Sequence, residues 1–142
     1  LAPLGDRLGA VLLRIEPGTP LDLTGLARLL AAWPRTARLV LDLREPAWEL
    51  DEVLRLAVDA GVAVAATETD AAPGPIVRRT APHLYLRLRR TGYDPADLDA
   101  WARRLEPFLA AGDDVFAFFR HDAQGESALA ALDLRRRMEA GG

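Results

Sequence analysis

"HLYLRLRR", His83 to Arg90, alternates Leu84, Leu86 and Leu88 with Tyr85, Arg87 and Arg89, and the fold turns on where those two sets go. Strand side chains point alternately to opposite sides, so the leucines share one face and the charges the other. The same division recurs upstream. Leu12, Arg14 and Glu16 stand against Val11, Leu13 and Ile15, and Val40, Asp42 and Arg44 stand against Leu39, Leu41 and Leu43. A sheet wrapped by helices on both sides would have to bury these charges. A singly wound sheet would not, because its helices cover one face and the inner face can gather polar groups toward the C-terminal rim, as in a (β/α) barrel.

Outward from that strand, short apolar runs alternate with helical patterns, the rhythm of βα units and a parallel sheet. The runs are Ala10 to Ile15, Ala37 to Leu43, Val62 to Thr67, His83 to Leu88 and Val115 to Arg120, which predicts five strands. Leu26, Leu29, Leu30 and Trp33 predict a first helix, with Asp22 or Thr24 as its cap and Pro34 as its close. A second runs from about Leu50 to Ala60, on Val53, Leu54 and Ala57, and stops at Gly61. A third starts from Asp94 and Pro95 and carries Leu98, Trp101, Leu105 and Leu109, with Pro107 expected to bend or end it early. The last, Ser127 to Met138, carries Leu129, Leu132 and Leu134 and ends in three arginines. "ETDAAPGPIVRRTAP" is read as a loop, because it holds three prolines and a glycine.

The chain has 142 residues, half of them hydrophobic, and a net charge of −3, which fits one domain and gives no global attraction to nucleic acid. No run approaches the roughly 18 to 20 apolar residues of a membrane span, and "LAPLGDRLGA" lacks the pattern of a secretory leader. Together with the absence of cysteine, this leads to an expected cytoplasmic location. Neither metal nor cofactor is expected. There are two histidines, no cysteine to ligate zinc, and only proline turns where a glycine-rich phosphate loop would be needed.

The chemistry-bearing residues gather at strand ends. Arg14, Glu16, Asp42, Arg44 and Arg87 read as inward-facing, and Arg120 joins them from its spacing to Phe116 and Phe118. Charges on such a face need partners, and Asp42 is the expected hub for Arg44 and Arg87. Two readings stand side by side: structural ion pairs in place of apolar filling, or an arginine centre that grips a phosphate or carboxylate. His121 beside Asp122 could be a base and its orienting carboxylate, or two residues at the rim. Glu16, Asp42 or Glu45 could supply paired carboxylates. Trp48, just past a strand end, would staple the next helix or floor a pocket, whereas Trp33 and Trp101 sit in helical stripes and read as packing.

Four stretches in order, "RLGAVLLRIEPG", "VLDLREPAWELDEVLRLAVDAGVAVAAT", "TAPHLYLRLRRTGYDPADLDAWARRL" and "VFAFFRHDAQGESALAALDLRRRM", resemble consecutive landmarks of the "domain of unknown function 72" family, also called YecE-like. The resemblance implies a TIM-barrel-like fold of uncharacterised activity with no substrate or cofactor to carry over. Asp42 stands where that family usually has glutamate. Arg44 and Trp48 match the first and last residues of its Arg-His-Pro-Ser-Trp motif, with Glu45 in place of the histidine. Tyr85, Arg87, Leu88 and Tyr93 fit the strand and loop that follow, and Phe119, Arg120, His121 and Asp122 fit the last-strand signature. The first strand departs: "LRIEP" replaces Phe-Gln-Leu-Pro-Pro, with Arg14 for glutamine and Glu16 for proline.

A closed eight-unit barrel takes about 250 residues, and this chain has room for about five units, so against the family the N-terminal strands are missing. The expectation is a single α/β domain over 1–142, a partial TIM-barrel-like sheet of about five parallel strands with helices on one face. Its arginine-rich rim at the strand C-termini would bind a small anionic ligand through Arg14, Asp42, Arg44, Trp48, Tyr85, Arg87 and Arg120. Two alternatives accompany it. One is a barrel hydrolase or isomerase acting on a phosphorylated or carboxylated metabolite, with His121, Asp122 or Glu45 as acid or base. The other is a noncatalytic module whose barrel is completed by a second copy or another chain.

Overall fold

The computed structural model describes residues 8–140, so most of the stretch scanned for a leader lies outside the described residues. In chain order the elements are β1 (Val11–Ile15), α1 (Leu23–Ala32), β2 (Leu39–Leu43), a one-turn 3-10 helix (Pro46–Trp48), α2 (Asp51–Ala60), β3 (Ala63–Val64), β4 (Ala66–Glu68), β5 (His83–Leu88), α3 (Pro95–Ala110), β6 (Asp114–Phe119) and α4 (Glu126–Ala140). Every strand pairing is parallel. The α/β class therefore holds, with six strands among the described residues where about five were expected.

The extra strand comes from Val62 to Thr67, which serves two ladders. Ala65 N–H still donates to Leu41 O at 2.8 Å, whereas from Ala66 onward the chain pairs with β5. The sheets are thus β1-β2-β3 and β4-β5-β6, and neither closes on itself. The chain divides accordingly into two compact units, one of residues 1–65 and 78–82, the other of 66–77 and 83–142.

In the first unit, Ile15, Leu39 and Leu41 pack with Leu26 and Leu30 of α1 and with Val53 and Ala57 of α2, so both helices cover the same sheet face. Asp22 caps α1 by accepting from Gly25 N at 2.8 Å. Gly61 ends α2 at φ +65°, a left-handed residue of the kind glycine adopts at helix ends. Residues 78–82 belong here too: Thr80 Oγ1 accepts from Val64 N at 3.1 Å.

In the second unit, Ala66, Leu84, Leu86 and Leu88 pack with Leu98, Trp101 and Leu105 of α3 and with Leu134 of α4. A capping box starts α3, with Asp94 accepting from Asp97 N at 2.8 Å and Asp97 from Asp94 N at 3.1 Å. Of the two alternatives for Pro107, ending the helix is excluded, since α3 continues to Ala110. Placed in the last turn, it deprives only the Arg103 carbonyl of a helical partner. The stripe expected on α4 also shifts. Leu129 and Leu132 are 68% and 43% exposed, while Leu134 is buried and Ala130 and Met138 pack beside it, a spacing of four that faces the sheet. Arg137 ties the helices together by bridging Asp133 and Asp99.

Candidate functional site

The charges divide between the units as the strand alternation requires. In the first, Arg14 and Asp42 are neighbours in the β1–β2 register, on the face away from α1 and α2. Arg14 Nε donates to Asp42 Oδ2 at 3.0 Å and its Nη1 lies 3.7 Å from Glu16 Oε1. Asp42 is 1% exposed. It is a hub, but the partner seen in this unit is Arg14, and the expectation that Arg44 would pair with it fails. Arg44 lies one residue beyond β2, where its side chain reaches solvent, and it makes no ion pair among the described residues.

Glu45 is occupied with backbone. It accepts from Gly18 N at 2.6 Å and from Ala47 N at 3.2 Å, joining the loop after β1 to the 3-10 turn after β2. Those bonds, Gly18 first, hold its carboxyl below the ordinary glutamate value. Trp48 is buried in the first unit's core, and its Nε1 donates to Thr19 O at 3.0 Å.

In the second unit, the face of β5 and β6 turned away from α3 and α4 carries Tyr85, Arg87, Phe116 and Phe118, in the pairs Tyr85 with Phe116 and Arg87 with Phe118. The ladder runs on past the strands, since Arg89 N donates to Glu68 O at 3.0 Å and Arg120 N to Leu88 O at 2.9 Å. Two-residue alternation therefore puts Arg89 and Arg120 on the same face as Arg87, at its C-terminal rim. Arg87 is half-buried and engaged, whereas the side chains of Arg89 and Arg120 make no ion pair among the described residues. Tyr85 and Phe118 stack with ring centroids 4.9 Å apart.

His121 is exposed just beyond this rim, and Asp122 turns to α4. Its Oδ1 accepts from Glu126 N at 3.0 Å and its Oδ2 from Ser127 N at 2.7 Å, which makes it a helix cap. Bonds from Ser127, side chain and amide, lead the causes that bring its carboxyl down to about 2. No hydrogen bond joins it to His121 among the described residues.

The reading of the sequence passed over Glu68. This residue is 3% exposed, and it accepts from Trp101 Nε1 at 2.9 Å and from Gly74 N at 2.9 Å. Tyr93 also hydrogen-bonds to it, and burial, the largest cause, raises the Tyr93 phenol well above its ordinary value. The loop after β4 is thereby pinned: Arg104 donates to Pro75 O and lies 4.0 Å over the Trp101 ring, and Asp70 takes Thr91 N and Oγ1 at 2.9 and 2.7 Å. Arg90 is taken up by Asp97 at 2.8 Å, an ion pair that lowers the carboxyl and raises the guanidinium. Glu68 was hidden by its place as first residue of a stretch read as loop, although a carboxylate directly after an apolar run is a signal worth weighing.

Among the described residues, no group of three or more His, Cys, Asp or Glu is arranged to hold a metal ion, and no helix is long and apolar enough to cross a membrane. A family model described as "Protein of unknown function DUF72" matches residues 1–142. Two crystal structures of a DUF72 family protein from Enterococcus faecalis V583 are similar over 94% of this chain, with TM-scores of 0.71 and 0.72 at 15% and 14% identity. A DUF72 family protein from Thermotoga maritima MSB8 is similar over 94% of the chain, with a TM-score of 0.65 at 17% identity. The chain spans 62% and 60% of the two enterococcal structures and 58% of the Thermotoga one. No curated protein matches it.

Proposed function

The chain belongs to the DUF72 family, and from that premise we propose that it binds a small anionic ligand at an arginine-bearing rim on the C-terminal ends of its strands. One observation carries the reading: Arg87, Arg89 and Arg120 lie on one face of two neighbouring strands, and Arg89 is exposed and makes no ion pair among the described residues. Three guanidiniums on one rim, with Asp70 the acidic group near Arg120, leave a local excess of positive charge that favours an added anion, and a guanidinium presents a planar fork that matches carboxylate or phosphate oxygens. Arg14, Asp42 and Arg44 form the corresponding polar edge of the first sheet, where Asp42 already neutralises Arg14. The parallel βα order, with helices on one face in each unit, supports reading the fold as part of a TIM-barrel-like one, the class whose sites are built at strand C-termini.

Of the three acid–base candidates, Asp122 and Glu45 both spend their carboxylates on backbone amides, and His121 has no orienting partner from Asp122. The test is calorimetric titration with inorganic phosphate and citrate, on the wild-type chain and on Arg120→Leu. The wild type binds one of the two, and the variant binds it about tenfold to a hundredfold more weakly with an unchanged melting temperature, the effect of removing one charge-assisted pair. Absence of binding to both, or equal binding by the variant, overturns the reading.

A further inference from the structure

The rim has an aromatic component that simple charge recognition does not use. Phe118 is 51% exposed although it sits inside β6, on the face opposite the leucines that pack under α3 and α4. Its ring stacks on Tyr85 with planes 30° apart, so one ring face is occupied and the exposure belongs to the remainder. Register places Phe118 beside Arg87, and Arg120 follows two residues on, about 7 Å along the same face. Thr67 lies beyond Arg87 in the same row, with its Oγ1 buried and without a hydrogen-bond partner among the described residues.

We infer that the ligand of this rim is a planar aromatic acid, its ring stacked on Phe118 and its carboxylate or phosphate held by Arg120 and Arg87. The inference rests on the anion-binding reading and adds a flat apolar ring to it. The spacing suits such a molecule, because a ring centred over Phe118 carries an attached anionic group roughly one side-chain row away, where Arg120 stands. A short aliphatic acid reaching the same guanidiniums would leave the phenyl uncovered. Stacking of offset rings contributes beyond the area it buries, so the ring is a source of selectivity and not only of affinity.

The experiment compares 2-naphthoate with cyclohexanecarboxylate, which has the same charge and no flat face, and with inorganic phosphate, which has no ring. The three are titrated calorimetrically into the wild-type chain, Phe118→Leu and Phe118→Tyr, each checked for an unchanged melting curve. The wild type prefers 2-naphthoate over cyclohexanecarboxylate by about tenfold, the scale of one aromatic contact. Phe118→Leu erases that preference while leaving phosphate binding unchanged, and Phe118→Tyr restores it. If phosphate binds but 2-naphthoate has no advantage, or if the advantage survives in Phe118→Leu, the aromatic inference is overturned and the anion reading stands. If none of the three binds, both fall together.

Discussion

Asp42 is 1% exposed, and Arg14, whose own side chain is 40% exposed, donates to it at 3.0 Å. Replacing Arg14 by leucine removes a charged partner from a buried carboxylate, and the half-open position of the arginine tempers the loss to about 1–2 kcal/mol. Urea denaturation measures it, and a variant as stable as the wild type would show that Asp42 does not need this arginine. Asp122 offers a pH test. Its carboxyl is depressed to about 2, so the cap is fully effective above the ordinary aspartate value near 4 and is lost as pH falls toward 2. Protection of the Glu126 and Ser127 amides, as the ratio of intrinsic to measured hydrogen-exchange rate, should fall over that interval in the wild type, whereas in Asp122→Ala it should be low already at neutral pH. At this scale the sequence was informative where the chemistry is local. Asp94 beside Pro95 announces a cap and is one, and of the two candidates Asp22 and Thr24 it is Asp22 that caps. Partners chosen across the fold were less legible: nothing in the spacing said that Asp42 would bond Arg14 in preference to Arg44.

At the scale of elements, partner choice again marks the limit of the sequence. Val62 to Thr67 has the composition of one strand, but which neighbour each residue bonds to depends on tertiary placement, and the run divides at Ala65. On α4, Leu129 and Leu132 satisfy a helical period as well as Leu134 does, and only the position of the sheet decides that Ala130, Leu134 and Met138 face inward. Glu68 was missed for a related reason, since its donors come from α3 and from a loop six residues away. Glu68→Ala leaves the buried Trp101 indole without an acceptor and should cost about 2–4 kcal/mol. Hydrogen exchange or limited proteolysis over residues 69–77 should show the loop released, and an equally protected loop would mean that Arg104 and Asp70 suffice to hold it. The left-handed Gly61 gives a simpler test: its Cβ position is open, so Gly61→Ala should cost about 1 kcal/mol by backbone strain alone, measured by thermal denaturation.

For the whole molecule, the alternation in "HLYLRLRR" carried the main distinction, leucines toward the helices and arginines away from them, and both sheets obey it. The division of the chain into two units with separate cores was not legible, because both cores draw on the same βα rhythm and each is composed of the same leucine, valine and alanine side chains. The functional account rests on the second sheet's rim. Its most direct test is a two-dimensional 15N NMR titration that follows the arginine Nε–Hε signals while inorganic phosphate is added. The account predicts that the signals of Arg87, Arg89 and Arg120 shift together along one saturable curve, while those of Arg135 and Arg137, committed to carboxylates on α4, stay in place. Shifts spread evenly over all arginines, or confined to residues away from the rim, would contradict it.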